Sequence, residues 1–112
     1  MKLGMTTIPS ISREELQAKI ERRDPFHLFE VLGRGYWKKH HLPGAVNAPP
    51  DEVTTLVPQL VPDKAAEIVV YCWDFTSKKA ARELAALGYT NVRDYAEGKK
   101  GWQDAGLPLV KE

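Results

Sequence analysis

Ile68-Val69-Val70-Tyr71-Cys72-Trp73-Asp74-Phe75-Thr76-Ser77 is the stretch whose reading decides the fold. The apolar run that ends at Tyr71 reads as a central strand. The polar residues after Cys72 break it. Lys78-Lys79-Ala80-Ala81-Arg82-Glu83-Leu84-Ala85-Ala86-Leu87 then has helical patterning, with Gly88 where a helix C-cap glycine belongs. Cys72 is the only cysteine and stands at the strand-to-helix junction. There a thiol faces the unpaired N–H groups and positive dipole end of a helix, which favour thiolate over thiol. The same cysteine also reads as a small buried hydrophobe. The polar residues after it favour an exposed sulfur, and position alone leaves both roles open.

Outward from this stretch, strand and helix signals alternate. Ile8-Pro9-Ser10-Ile11 is a short extended lead-in, and Ser12-Arg13-Glu14-Glu15 has the capping-box pattern of a helix start. Leu16 and Ile20 share one face of that helix, which is expected to end near Arg23-Asp24-Pro25. Residues 26–31 form a dense apolar run, read as a buried strand and broken by Gly33-Arg34-Gly35. A short helix is expected over residues 36–40, then a turn at Leu42-Pro43-Gly44 and a short strand over residues 45–48. Asp51-Glu52-Val53 reads as a helix start, and Pro58 and Pro62 limit the middle segment to short helical pieces or loop. A weaker strand is expected over residues 91–95 and a terminal helix over residues 98–105, ended by Gly106-Leu107-Pro108. Alternation of this kind indicates an α/β fold, a parallel sheet covered on both faces. Ligands of such sheets sit beyond the carboxyl ends of the strands, where Cys72 falls.

The composition narrows the class further. The chain has 112 residues, 43% apolar and 28% charged, as expected of one globular domain with a real core. Residues 1–7 read as a flexible tail. Sixteen basic and fifteen acidic residues give a formal net charge of +1, which implies neither a nucleic-acid nor a membrane partner. No apolar stretch approaches the ~20 residues of a membrane span. The opening residues lack the apolar core of a signal peptide, and a single cysteine suits a reducing compartment, so the expected location is cytoplasmic. Three scattered histidines and one cysteine make no metal-ligand spacing, and neither metal nor organic cofactor is expected.

Several segments together resemble the rhodanese-like family of sulfurtransferase domains. They are Ser12-Arg13-Glu14-Glu15-Leu16, Leu28-Phe29-Glu30-Val31, His41-Leu42-Pro43-Gly44-Ala45-Val46-Asn47-Ala48-Pro49 and Ile68-Val69-Val70-Tyr71-Cys72. Leu87-Gly88-Tyr89, Glu97-Gly98, Trp102 and Gly106-Leu107-Pro108 come after them in family order. The resemblance implies a central, mostly parallel five-stranded sheet with helices on both faces. It also implies Cys72 as the catalytic nucleophile, taking sulfur from a donor such as thiosulfate and passing it as a persulfide to cyanide, a thiol or an acceptor protein. The substrate-binding residues are then Trp73, Asp74, Phe75, Thr76, Ser77 and Lys78, whose backbone N–H groups form an anion cradle. A monomer is expected.

The chain departs from the family pattern in the loop. It is about one residue short and has no glycine. Asp74 adds a negative charge that opposes thiolate formation and repels thiosulfate. Lys78 and Lys79 read either as a solvated helix start or as anion-holding cations. Thr76 and Ser77 read as anion-contacting hydroxyls or as an N-cap pair, with capping the main role for Ser77. Trp73 and Phe75 read equally as packing residues or as an apolar collar for a thiol or protein acceptor. Where the family has an aspartate and then an arginine, this chain has Glu30 and Leu32, and Arg34 is a candidate to supply the missing charge. His41 reads as structural, near the turn, while His27 and His40 read as surface or partly buried. Beside sulfur transfer stand an inactive interaction module of the same fold and, as a minor alternative, a cysteine-dependent phosphatase or arsenate reductase. The last wants an arginine where this chain has Lys78.

Overall fold

The computed structural model describes residues 7–74 and 77–111. The expected tail therefore lies almost wholly outside the described residues, as do Phe75 and Thr76 of the loop. Among the described residues nine elements alternate. They are α1 (Arg13–Arg22), β1 (His27–Glu30), α2 (Arg34–Lys39), β2 (Val46–Asn47), α3 (Val53–Leu60), β3 (Ile68–Tyr71), α4 (Lys78–Ala86), β4 (Val92–Asp94) and α5 (Gly98–Asp104). The strands form one parallel sheet in the order β2-β1-β3-β4, with Glu30 opposite Tyr71 and Val70 opposite Asp94.

Strand alternation assigns the two faces. Phe29, Ile68 and Val70 point into one core with Val53, Val57, Ala81 and Leu84, which α3 and α4 supply. Leu28, Val69 and Tyr71 point into the other with Leu16, Leu42, Tyr95 and Trp102. β3 is buried at every position, as a strand covered on both sides must be.

Local signals explain most boundaries. Ser12 caps α1, its Oγ accepting from the Glu15 N–H at 3.1 Å. Gly88, at φ 102°, lets the chain leave α4 in a left-handed conformation that other residues rarely adopt. One expectation is corrected. The sheet has four strands among the described residues rather than five, because the lead-in is reduced to a single bridge between Ser10 and Asp94. Pro9 contributes a carbonyl to Asp94 N–H but has no N–H of its own, so the ladder cannot extend. The middle segment is limited to a short helix, as expected: α3 has eight residues, runs through Pro58 and ends at Leu60. Only the bond to Thr54 is lost, near the end of the helix and at an exposed residue.

Candidate active site

Cys72 follows β3 directly at the carboxyl edge of the sheet, with α1 and α5 on one side and α3 and α4 on the other. The first turn of α5 holds its backbone: Lys99 N–H donates to Cys72 O and Lys100 N–H to Trp73 O, each at 2.8 Å. Such close docking requires glycine at position 98. Gly98 has φ 70°, and a Cβ there would lie 2.5 Å from Trp73 O. The clamp also places the cysteine below the surface. Cys72 is 3% exposed, against the expectation of an exposed sulfur, and its Sγ lies 4.0 Å from Asp74 O.

The predicted loop residues separate into different environments. Trp73 is 40% exposed, Asp74 is half-buried and Lys78 is partly exposed. Ser77 is buried and does not cap α4. Its backbone already has helical angles, and its Oγ donates instead to Oδ1 of Asp94 in a short hydrogen bond. Lys78 Nζ lies 3.9 Å from the other Asp94 oxygen. Lys79 turns away to pair with Glu83 at 2.7 Å, so the two lysines do not act together. Burial holds the Asp94 carboxyl above its usual range, outweighing the Ser77 hydrogen bond and the Lys78 charge.

A second buried polar group lies at the end of β1, and the sequence reading missed it. Lys99 Nζ reaches Glu30 Oε2 at 3.0 Å, His40 O at 2.7 Å and Tyr36 O at 3.2 Å. The Tyr71 hydroxyl donates to Glu30 Oε1 at 2.8 Å and accepts from Leu42 N–H at 3.0 Å. Burial and the Glu30 charge push the Tyr71 phenol well up, so it serves as a neutral donor. Arg34 does not supply the charge that Leu32 lacks; it points outward, 3.7 Å from Glu52. Two sequence signals pointed toward Lys99. An acidic residue ending a buried strand calls for a cationic partner, and Lys99 shares a helix face with Trp102, three residues on.

His41 is structural, as expected: it stacks on Trp37 at 4.2 Å, with Nδ1 2.7 Å from Trp37 O. His27 is exposed and His40 half-buried. Beside Trp73, between α2 and α5, opens a cavity of about 580 Å³ whose lining includes Leu32, Tyr36, Lys39 and Gln103. No described helix is long and apolar enough to cross a membrane.

A lone cysteine at this edge, in this order of strands and helices, is the arrangement the resemblance implied. The sequence profile of the rhodanese-like domain matches residues 12–105. The chain belongs to the rhodanese-like domain family. It is 34% identical over 86 residues to the thiosulfate sulfurtransferase PspE of Escherichia coli (strain K12), an overlap covering 76% of this chain and 79% of that protein. Two other curated relatives are longer, and this chain spans 23% and 52% of them. Among solved structures, a rhodanese with anions from E. coli is 33% identical, with a TM-score of 0.65 over 77% of this chain and 98% of that one. The human single-domain sulfurtransferase TSTD1 is 25% identical, with a TM-score of 0.78 over 88% and 97%. Within a rhodanese-like fold, the buried Glu30–Lys99 pair and the Ser77–Asp94 bond flank the cysteine loop from two sides.

Proposed function

We propose that this protein is a sulfurtransferase that carries a sulfane sulfur as a persulfide on Cys72. The observation that carries the reading is the position of Cys72, held by α5 at the carboxyl edge of β3 and directly before the loop to α4. In the loading step the Cys72 thiolate attacks the outer sulfur of thiosulfate. A new S–S bond forms, the S–S bond of thiosulfate breaks, and sulfite leaves with its electron pair. The anionic persulfide is then held by backbone N–H groups of the loop from Trp73 to Lys78, with the Lys78 ammonium nearby. In the second step a nucleophilic acceptor takes the outer sulfur and restores the thiolate. A reduced thiol used in this way suits a reducing compartment.

Intact-mass spectrometry after incubation with thiosulfate, or with a persulfide donor, tests the reading. The expected result is a gain of one sulfur atom, ~32 Da, reversed by cyanide or thiol and absent in Cys72→Ser. No adduct from either donor, on folded protein whose Cys72 can be alkylated, would overturn it. The burial of Cys72 favours one rival, a rhodanese-like interaction module without turnover, and that same negative result would favour it.

A further inference from the structure

We propose that Asp94 is a positioning residue for the anion-receiving loop: its carboxyl anchors Ser77, and with it the start of α4 and the Lys78 ammonium, to the end of β4. This role rests on the persulfide reading of Cys72 and supplies the residue that sets the far end of its loop.

An aspartate is costly at this position. Asp94 points from β4 to the same side as Val92, into the core layer that α4 covers. Its side chain is 0% exposed, where an apolar residue would pack without the cost of burying a carboxyl. The strand does not need that carboxyl either. Asp94 N–H donates to Pro9 O at 2.9 Å, Asp94 O accepts from Ile11 N–H at 3.1 Å, and the residue lies opposite Val70 in the ladder. The carboxyl therefore projects from a fixed strand end and serves other groups.

Those groups belong to the far side of the cysteine loop. Ser77 Oγ donates its one proton to Asp94 Oδ1, so this hydroxyl has none left for an anion. Lys78 Nζ lies 3.9 Å from Oδ2, which has no hydrogen-bond partner among the described residues. At 42% exposure the lysine gains little stability from the pair. What the contact gives is direction, and Lys78 is the first cation after Cys72. The near side of the loop is held as well, by Lys99 N–H on Cys72 O and by Lys100 N–H on Trp73 O. Four residues, Trp73 to Thr76, join the two anchors, and none is glycine. Fixing both ends of so short a segment limits where the N–H groups next to each anchor can point. An anion site needs its donors placed in this way before the anion arrives.

Alkylation of Cys72 tests this role without any sulfur transfer. Iodoacetate and iodoacetamide differ by one charge, and the thiolate displaces iodide from each. The ratio of their rates, followed by intact mass, reads the preference of the loop for an anion. Asp94→Ala should lower that ratio about fivefold, and Asp94→Asn, which keeps an acceptor for Ser77, should restore most of it. Ser77→Ala removes the same hydrogen bond from the other side and carries the test should Asp94→Ala not fold. In the double variant it should add nothing to Asp94→Ala. A merely structural role would change both rates together and leave the ratio as it was. An unchanged ratio, a ratio as low in Asp94→Asn as in Asp94→Ala, or a Cys72 inert to both reagents would each overturn the proposal. Loading by thiosulfate, scored as the same gain of ~32 Da, is measured alongside. A ratio that depends on Asp94, with no sulfur adduct on the wild type, would overturn the persulfide reading and uphold the anchor. Loading equally fast in all variants, with an unchanged ratio, would do the reverse.

Discussion

The ammonium of Lys99 lies 3.0 Å from Oε2 of Glu30, and the two side chains are 2% and 0% exposed. Taking two charges out of water costs several kcal/mol each, which a bare pair seldom recovers. Here the remaining donors and acceptors are used as well, by the carbonyls of Tyr36 and His40 and by the Tyr71 hydroxyl. The group joins β1, α2, β3 and α5 around the end of the sheet where Cys72 lies.

Lys99→Met is therefore expected to destabilise the protein by about 3–5 kcal/mol in urea unfolding, because it leaves the Glu30 carboxylate buried without a counter-charge. Adding Glu30→Gln should recover most of the loss, since the amide still accepts from Tyr71 and carries no charge. A single-variant loss below about 1 kcal/mol would mean that water reaches the pair.

Gly98 and Gly35 should respond in opposite directions. Gly98→Ala places a Cβ 2.5 Å from Trp73 O at a backbone φ of 70°. The strain and the clash together predict a loss of about 2–4 kcal/mol, along with slower sulfur loading as the α5 clamp on Cys72 loosens. Gly35 lies within α2, and its Cβ would meet nothing within 4 Å. Gly35→Ala should stabilise by about 0.5–1 kcal/mol. Equal effects in chemical unfolding would refute the docking argument.

What could be read from the sequence and what could not divides along the range of the interactions. The Ser12 cap, the Gly88 exit and the Cys72 junction each depend on residues within a few positions, and each is found as expected. The partners of Lys99 are not local: Glu30 is 69 positions away. Within Gly98-Lys99-Lys100-Gly101 nothing local separates the buried Lys99 from Lys100, which is paired at the surface with Asp104. Ser77 misled for a related reason. A serine before a helix reads as a cap, but Asp94, 17 positions on, captured its hydroxyl. Arg34 was the nearest cation in sequence to the gap at Leu32, and proximity in sequence did not become proximity in space.

Asp94 should make stability depend on pH in a direction opposite to most carboxylates. Burial raises its folded-state pKa above the ordinary value of 3.8, so the folded protein holds this proton more tightly than the unfolded chain. The stabilisation from that proton is full below the unfolded value and is lost as pH rises through the folded one. Asp94→Asn keeps an acceptor for Ser77 and cannot ionise. Its stability relative to wild type should therefore rise as pH climbs above about 4, while the other groups, common to both proteins, cancel. A flat difference in urea unfolding above about pH 4 would show that burial does not raise the Asp94 pKa.

Asp74 is the residue expected to limit reaction with thiosulfate. Its carbonyl lies 4.0 Å from the Cys72 sulfur, and its carboxylate brings negative charge to a loop proposed to receive a dianion. Lys100 feels Asp74 only as a minor influence, its stronger partner being Asp104, and Lys78 is directed toward Asp94. Neither is committed to neutralising Asp74. Removing one charge that repels a dianion at loop distances in a solvent-screened site corresponds to about 1 kcal/mol, so Asp74→Asn should raise kcat/KM for thiosulfate about threefold to tenfold. Asp74→Gly should do at least as well, because it also relaxes a loop that lacks glycine. Salt distinguishes the cause. If repulsion is at work, raising the ionic strength should accelerate the wild type more than Asp74→Asn. A lower rate in both variants, with folding intact, would instead give the Asp74 carboxylate a positive part in the chemistry.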